Sequence, residues 1–192
     1  MNNGIRNILL VGVGGQGIIL ASEVITELAM RAGLDAKKSE VHGMSQRGGV
    51  VSSHVRFGPK VHSPLIEEGQ ANILCAFEIL ETLRWLHHIR PDGIVLANTQ
   101  RIVPPIATSG QAHYPDDPAG TLQSLFPGAV LVPAAEIARE LGNERLVNTI
   151  VMGRLSRELD FPAGLWQEVL AEFVPPKAKE LNRQAFERGR NL

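Results

Sequence analysis

The stretch from Asn7 to Ala32, NILLVGVGGQGIILASEVITELAMRA, joins an apolar run, a glycine-rich turn and a pattern of helical period, and few folds accommodate the three in that order. Ile8 to Val11 is a continuous apolar run bounded by Asn7 and by glycine, as in a strand buried on both faces of a parallel sheet. Gly12, Gly14 and Gly17 follow in the spacing G-x-G-x-x-G. Ile18, Ala21, Ile25, Leu28, Ala29 and Ala32 then share one helical stripe, with Gly33 where a left-handed C-terminal cap belongs. Strand, glycine turn and helix in this order are the context in which such a turn receives a phosphate. Glycines let backbone approach a ligand without a Cβ, and the first amides of the helix carry the positive end of its dipole. The same glycines also let helix pack closely on strand, and the local sequence leaves both uses open.

Downstream, Asp35 to Val41 suits a second strand. Glu40 falls about where a dinucleotide fold places the acid that bonds a ribose hydroxyl. His42 to Gly49 (HGMSQRGG) is a second glycine-bearing loop, too polar for a crossover helix, and two such loops close in sequence suggest a composite site. Val50 to Phe57 alternates as a strand with Ser52, His54 and Arg56 on its wetter face; Gly58-Pro59-Lys60 turns, and Val61 to Leu65 is expected to pair back as a hairpin. That hairpin brings His54 near His62, but no third ligand has compatible spacing and no metal is expected.

The remaining chain alternates strand and helix: strand Ala71 to Phe77, helix from Glu78 through Ile89 to a stop at Pro91-Asp92-Gly93, and strand Gly93 to Asn98. The last delivers Asn98 and Thr99 to the carboxyl edge of the sheet, where open α/β folds bind ligands. Gln100 to Leu125, broken by Pro104-Pro105, Pro115 and Pro118, is an excursion suited to a lid or a partner-facing arm. Ala129 to Val132 returns to strand, and helices follow over Ala135–Leu141, Asn148–Glu158, Leu165–Phe173 and Lys177–Arg190. The last carries an apolar stripe that can pack on the sheet or on another subunit. The fold expected is α/β, a Rossmann-like and mostly parallel sheet flanked by helices, with a β-hairpin addition and C-terminal helices. It forms one domain over 1–192, a core at 1–160 and a helical extension at 161–192.

Composition excludes several functions. A net charge of -1 gives no bulk attraction to nucleic acid or an anionic membrane. No apolar run reaches the roughly 18 residues of a membrane helix, and MNNGIRN lacks the design of a signal peptide, so a cytoplasmic protein is expected. The only cysteine, Cys75, lies in an apolar run and is expected to be a buried hydrophobe; one cysteine holds neither a disulfide nor an iron–sulfur cluster. The phosphate loop G-x-x-x-x-G-K-[ST], C-x-x-C, H-E-x-x-H and G-x-S-x-G are all missing, and no catalytic residue is expected.

Gly12-Val13-Gly14-Gly15-Gln16-Gly17, then Ser39 to Gly49 (SEVHGMSQRGG), then Ser53-His54-Val55-Arg56, closely resemble the gamma-type domain of the 2-oxoacid:ferredoxin oxidoreductases, and within it the indolepyruvate-type small subunits. Ser63-Pro64-Leu65-Ile66, Phe77-Glu78, Asn98-Thr99, Pro104-Pro105, Tyr114-Pro115 and the stretch from Gly142-Asn143 to Asn148 extend the likeness to about Ser156, while Leu165 to Leu192 matches no motif. The resemblance implies an enzyme that oxidatively decarboxylates an aryl pyruvate with coenzyme A and reduces ferredoxin. In it, thiamine diphosphate and iron–sulfur clusters sit on a large partner subunit, through which ferredoxin is met. It also implies a coenzyme A site using Gly12, Gly14, Gly15, Gln16, Gly17, Ser45, Gln46, Arg47, Gly48, Gly49 and Asn98. Arg47 is the only cation in the second loop; it either forks a phosphate or pairs with Glu40 or the partner. The excursion, the loop at His42 to Met44 and the interface-favoured Trp85 and Trp166 suggest a hetero-oligomer with two copies of each subunit. Read from the glycine turn alone, the alternatives are a stand-alone NAD- or flavin-binding module and a scaffold without ligand.

Overall fold

In a computed structural model the chain builds one six-stranded sheet with helices on both faces. The structure describes residues 4–42, 49–108 and 113–192. Strands β1 (Arg6–Val13), β2 (Asp35–His42), β3 (Val50–Gly58), β4 (Ala71–Ala76), β5 (Ile89–Asn98) and β6 (Val130–Val132) lie in the order β2-β3-β1-β4-β5-β6. The pairs β1–β4, β4–β5 and β5–β6 are parallel; β3 runs antiparallel to both β1 and β2. It follows that β2 runs parallel to β1 with β3 slotted between them. The unit from β1 through helix α1 (Ile18–Arg31) to β2 is thus a parallel crossover that has been prised apart.

The two sheet faces read directly from the alternation of β1. Ile8 and Leu10 point into one core with Val55, Phe57, Ile73, Cys75 and Leu96, covered by α1, α5 (Ala134–Glu140), α6 (Val147–Leu155), α7 (Ala163–Phe173) and α8 (Lys179–Arg190). Leu9 and Val11 point into the other with Leu74, Ala76, Val95 and Ala97, covered by α2 (Ile79–Trp85) and α4 (Pro118–Leu125) through Ile79 and Leu122. Burial pushes the Cys75 thiol up to about 12, leaving it inert. Helix α1 ends as its glycine foretells: Gly33, at φ 77°, donates to the Met30 carbonyl while Leu34 donates to Ala29.

Three expectations are corrected. Val61 to Leu65 does not pair back on β3, because β3 is an interior strand whose ladder is filled by β1 and β2. The wetter face of β3 holds that segment as a strap instead: the Arg56 guanidinium donates to the carbonyls of Ser63 (2.8 Å) and Leu65 (3.1 Å), and Ile66 N–H donates to His54 Nδ1 (3.1 Å). His54 consequently faces His88, ring centroids 6.1 Å apart, while His62 is exposed. Second, α2 stops at Trp85, a 3-10 turn spans Leu86–His88, and β5 begins at Ile89 rather than Gly93. The ladder skips from Ile89 to Ile94, so Pro91 lies in a bulge where its missing N–H breaks no pairing. Third, Trp166 is fully buried against Phe186 and is no interface anchor.

The open question of the C-terminal helix is also answered within the chain. Helix α8 lies on α6 at glycine contact distance, where a Cβ on Gly189 would come 2.0 Å from the Ile150 carbonyl oxygen and one on Gly153 2.2 Å from that of Phe186. In the excursion, α3 (Pro105–Thr108) and α4 are the described helices.

Candidate functional site at the carboxyl edge

The topology brings the glycine turn and the two ends of the second glycine segment to one edge. Because β2 parallels β1, its end at His42 and the start of β3 at Val50 arrive beside the end of β1, with Val50 opposite Val13 and His42 opposite Val51. Gly14 N–H donates to the Gly49 carbonyl at 2.9 Å, joining the glycine turn to the end of the second loop. Ser45, Gln46, Arg47 and Gly48 lie outside the described residues.

The turn itself is braced by side chains. Gln16 folds back so that its Oε1 accepts from Val13 N–H (2.9 Å) and its Nε2 donates to the Phe77 carbonyl (2.6 Å). A Cβ on Gly12 would sit 2.7 Å from that Oε1 and 3.1 Å from Phe77 Cβ, so Gly12 is a packing glycine. Gly17, at φ 77°, is held by Asn148, whose Nδ2 donates to the carbonyls of Gln16 (3.0 Å) and Gly17 (2.7 Å). Gly15, at φ 99°, faces open space. Beyond it the amides of Ile18, Ile19 and Leu20 have no carbonyl within α1 to take them, as at any helix start, and they crown a helix of 14 residues.

Asn98 reaches the same edge but is fully buried. Its Nδ2 donates to the Phe77 carbonyl (2.9 Å), which it shares with Gln16, and its Oδ1 has no partner among the described residues. Thr99 N–H is taken by Val132 O and caps β6. Glu40, expected on a ribose, is engaged by Lys38 Nζ (2.8 Å) and Ser22 Oγ (3.2 Å). Of the expected set, then, Gly14 joins Gly49, Gln16 meets Asn98 through Phe77, and Gly15 stands open.

Sequence reasoning missed Asn148, Gln100 and the pinning of the excursion. Gln100 Oε1 lies 3.4 Å from both Gln16 Nε2 and Asn98 Nδ2. Glu78, buried at the start of α2, accepts from Glu81 N–H, Ile102 N–H and the Tyr114 hydroxyl, the last at 2.5 Å. Burial, then the Glu78 carboxylate, drives the Tyr114 hydroxyl far above its ordinary titration range. Arg101 closes the ring of contacts, lying 5.0 Å over the Tyr114 ring and donating to Pro115 and Asp116 carbonyls. Chemically, the edge offers the free first amides of α1 and the positive end of its dipole, a binding surface for an anion.

Residues 7–192 match the family described as pyruvate ferredoxin/flavodoxin oxidoreductase. The chain is 41% identical over 189 residues to the indolepyruvate oxidoreductase subunit IorB of Archaeoglobus fulgidus, covering 96% of this chain and 94% of that one. Its fold is similar, with a TM-score of 0.75 and 20% identity, to the pyruvate oxidoreductase subunit PORC of Thermotoga maritima, over 98% of this chain and 96% of that one. It is similar, with a TM-score of 0.74 and 21% identity, to 31% of the 2-oxoglutarate:ferredoxin oxidoreductase of Magnetococcus marinus, solved with 2-oxoglutarate, coenzyme A and succinyl-CoA bound; 98% of this chain is covered.

Proposed function

The chain belongs to the pyruvate ferredoxin/flavodoxin oxidoreductase family, and on that premise we propose that it is the small subunit of a cytoplasmic complex that oxidises indolepyruvate and related aryl pyruvates. Identity of 41% over 189 residues to an indolepyruvate oxidoreductase subunit supports the choice of keto acid. In this reading the keto acid loses carbon dioxide, its acyl group passes to the coenzyme A thiol, and the two electrons released go to ferredoxin. Thiamine diphosphate and the iron–sulfur clusters belong to the large partner: Cys75, the only cysteine here, is buried and inert. The chain is a single gamma-type domain over 1–192, with 161–192 as its helical extension.

This subunit's own part is to help assemble the complex and to hold coenzyme A phosphate at the carboxyl edge. The observation that carries the second role is the Gly14 to Gly49 hydrogen bond, which joins the last residue of the second glycine segment to the turn that opens α1. Arg47, between Gln46 and Gly48-Gly49, is the cation for that phosphate. The engagement of Glu40 by Lys38 and Ser22 disfavours a ribose-binding NAD or flavin module. Coexpression with the large subunit tests the assignment: a complex forms and reduces ferredoxin with indolepyruvate faster than with phenylpyruvate, pyruvate or 2-oxoglutarate. Absence of a complex, or of keto-acid-dependent reduction, overturns it. In that complex Arg47→Lys weakens apparent coenzyme A binding by about 1 to 3 kcal/mol, the scale of a charged hydrogen bond, while the KM for keto acid stays put. Loss of assembly with coenzyme A dependence intact assigns Arg47 to the interface instead.

A further inference from the structure

The opposite edge of the sheet, where β4 and β5 begin, carries a grouping that the proposed function does not use. The turn Glu67–Gln70 leads into β4 and the 3-10 turn Leu86–His88 leads into β5, with Ala71 paired to Ile89 just beyond. Gly69 N–H donates to the His87 carbonyl at 3.1 Å and so fastens one turn to the other. The fastening sets Glu68 Oε1 3.8 Å from His87 Nε2, and one donor atom from each of Glu68, His87 and His88 lies within 4.8 Å of the others.

The two imidazoles are unequal. Glu68 and His87 project into solvent, their side chains 77% and 53% exposed. His88 is half-buried, with Trp85 stacked on it at 5.2 Å and the His87 ring tilted against it at 4.5 Å. Its Nδ1 is shut off from solvent and has no hydrogen-bond partner among the described residues. The neighbouring His54 is otherwise occupied, accepting from Ile66 N–H at the head of the same turn.

We propose that Glu68, His87 and His88 bind one borderline divalent cation, best matched by Zn2+, with a further position left to water or to an outside ligand. Two imidazoles and a carboxylate select zinc and its late first-row neighbours over magnesium or calcium, which prefer all-oxygen shells. Bonds of about 2.1 Å in a tetrahedron set donors about 3.4 Å apart, so the cluster needs to close by little more than an ångström. The exposed Glu68 and His87 side chains can supply that movement by rotation while Trp85 holds His88. The cation staples the two turns that launch β4 and β5 and stands apart from the glycine turn, at the other end of the parallel strands.

The test uses the untagged full-length chain, stripped with chelator and titrated with Zn2+ by calorimetry, with thermal unfolding in parallel. One equivalent binds per chain and raises Tm, and Mg2+ does neither. His87→Ala and Glu68→Gln each weaken binding by at least about tenfold, the scale on which even supporting residues of a metal site act. The double variant loses the Tm rise, and His62→Ala, an exposed histidine outside the cluster, binds as before. Failure of the wild-type chain to bind one equivalent, or binding and a Tm rise that survive in the double variant, overturns the proposal. Circular dichroism of each variant at these exposed positions confirms folding before titration.

Discussion

Asn148 braces the glycine turn from 131 residues away, donating to two consecutive carbonyls with one amide nitrogen. Replacing that nitrogen by oxygen in Asn148→Asp sets a carboxylate against the Gln16 and Gly17 carbonyls at a buried position. We expect a loss of about 2 to 4 kcal/mol in urea unfolding, more than Asn148→Ala, because repulsion joins the lost hydrogen bonds. Gly17→Ala is destabilising by at least about 1 to 2 kcal/mol from its left-handed backbone alone, and its Cβ would also lie 2.7 Å from Asn148 Nδ2. Removing the amide relieves that contact, so Gly17→Ala costs less in an Asn148→Ala background; strictly additive effects in the double-mutant cycle count against this packing. The glycines were legible because their spacing is local. Asn148 was not, since a polar residue near a helix start says nothing about which distant carbonyl it will meet. Trp166 misled for a related reason: the residue type suits an interface and a core equally, and only the packing of α7 on α8 through Phe186 decides.

Strand and helix positions were largely readable, because period 2 and period 3.6 are properties of one segment; pairing partners were not, because pairing joins two. The alternation in Val50 to Phe57 marks a strand with a polar face, but an edge strand beside a hairpin and an interior strand under a strap share that pattern. The strap is anchored at its start by Asp35, whose Oδ2 accepts from Val61 N–H at 2.8 Å. That amide, then Lys37, holds the Asp35 carboxyl below the ordinary aspartate value of 3.8. A depressed carboxylate stabilises the fold above its unfolded pKa and loses that contribution as pH falls through the folded one. Asp35→Asn therefore lowers the urea midpoint at pH 7, and the difference from wild type fades as pH drops below 3.8; a difference that persists unchanged in acid refutes the ionic anchor. Between helices, Gly189→Ala drives a methyl into the Ile150 carbonyl and forces α8 off α6, at a cost of about 1 to 3 kcal/mol or more, read in the same assay.

At the scale of the molecule, the decisive feature is β3 lying between β1 and β2. Two glycine loops close in sequence suggest a shared site, but sequence proximity alone does not join them; the inserted antiparallel strand returns the chain to the edge it has just left, and Gly14 meets Gly49 there. The same parallel strands carry the Glu68, His87 and His88 cluster at their other ends, so the two proposed ligands act on opposite edges. Hydrogen exchange of the assembled complex separates them. Coenzyme A should slow amide exchange over 14–20 and 42–50, where its phosphate would be held, and leave 67–70 and 86–89 unchanged. Zn2+ should do the reverse, because stapling the turns stabilises the starts of β4 and β5 without reaching the glycine turn. The aryl pyruvate, if its pocket belongs to the large subunit, protects neither edge of this chain. Coenzyme A protection confined to the partner would remove the phosphate role from this subunit while leaving its membership of the complex intact.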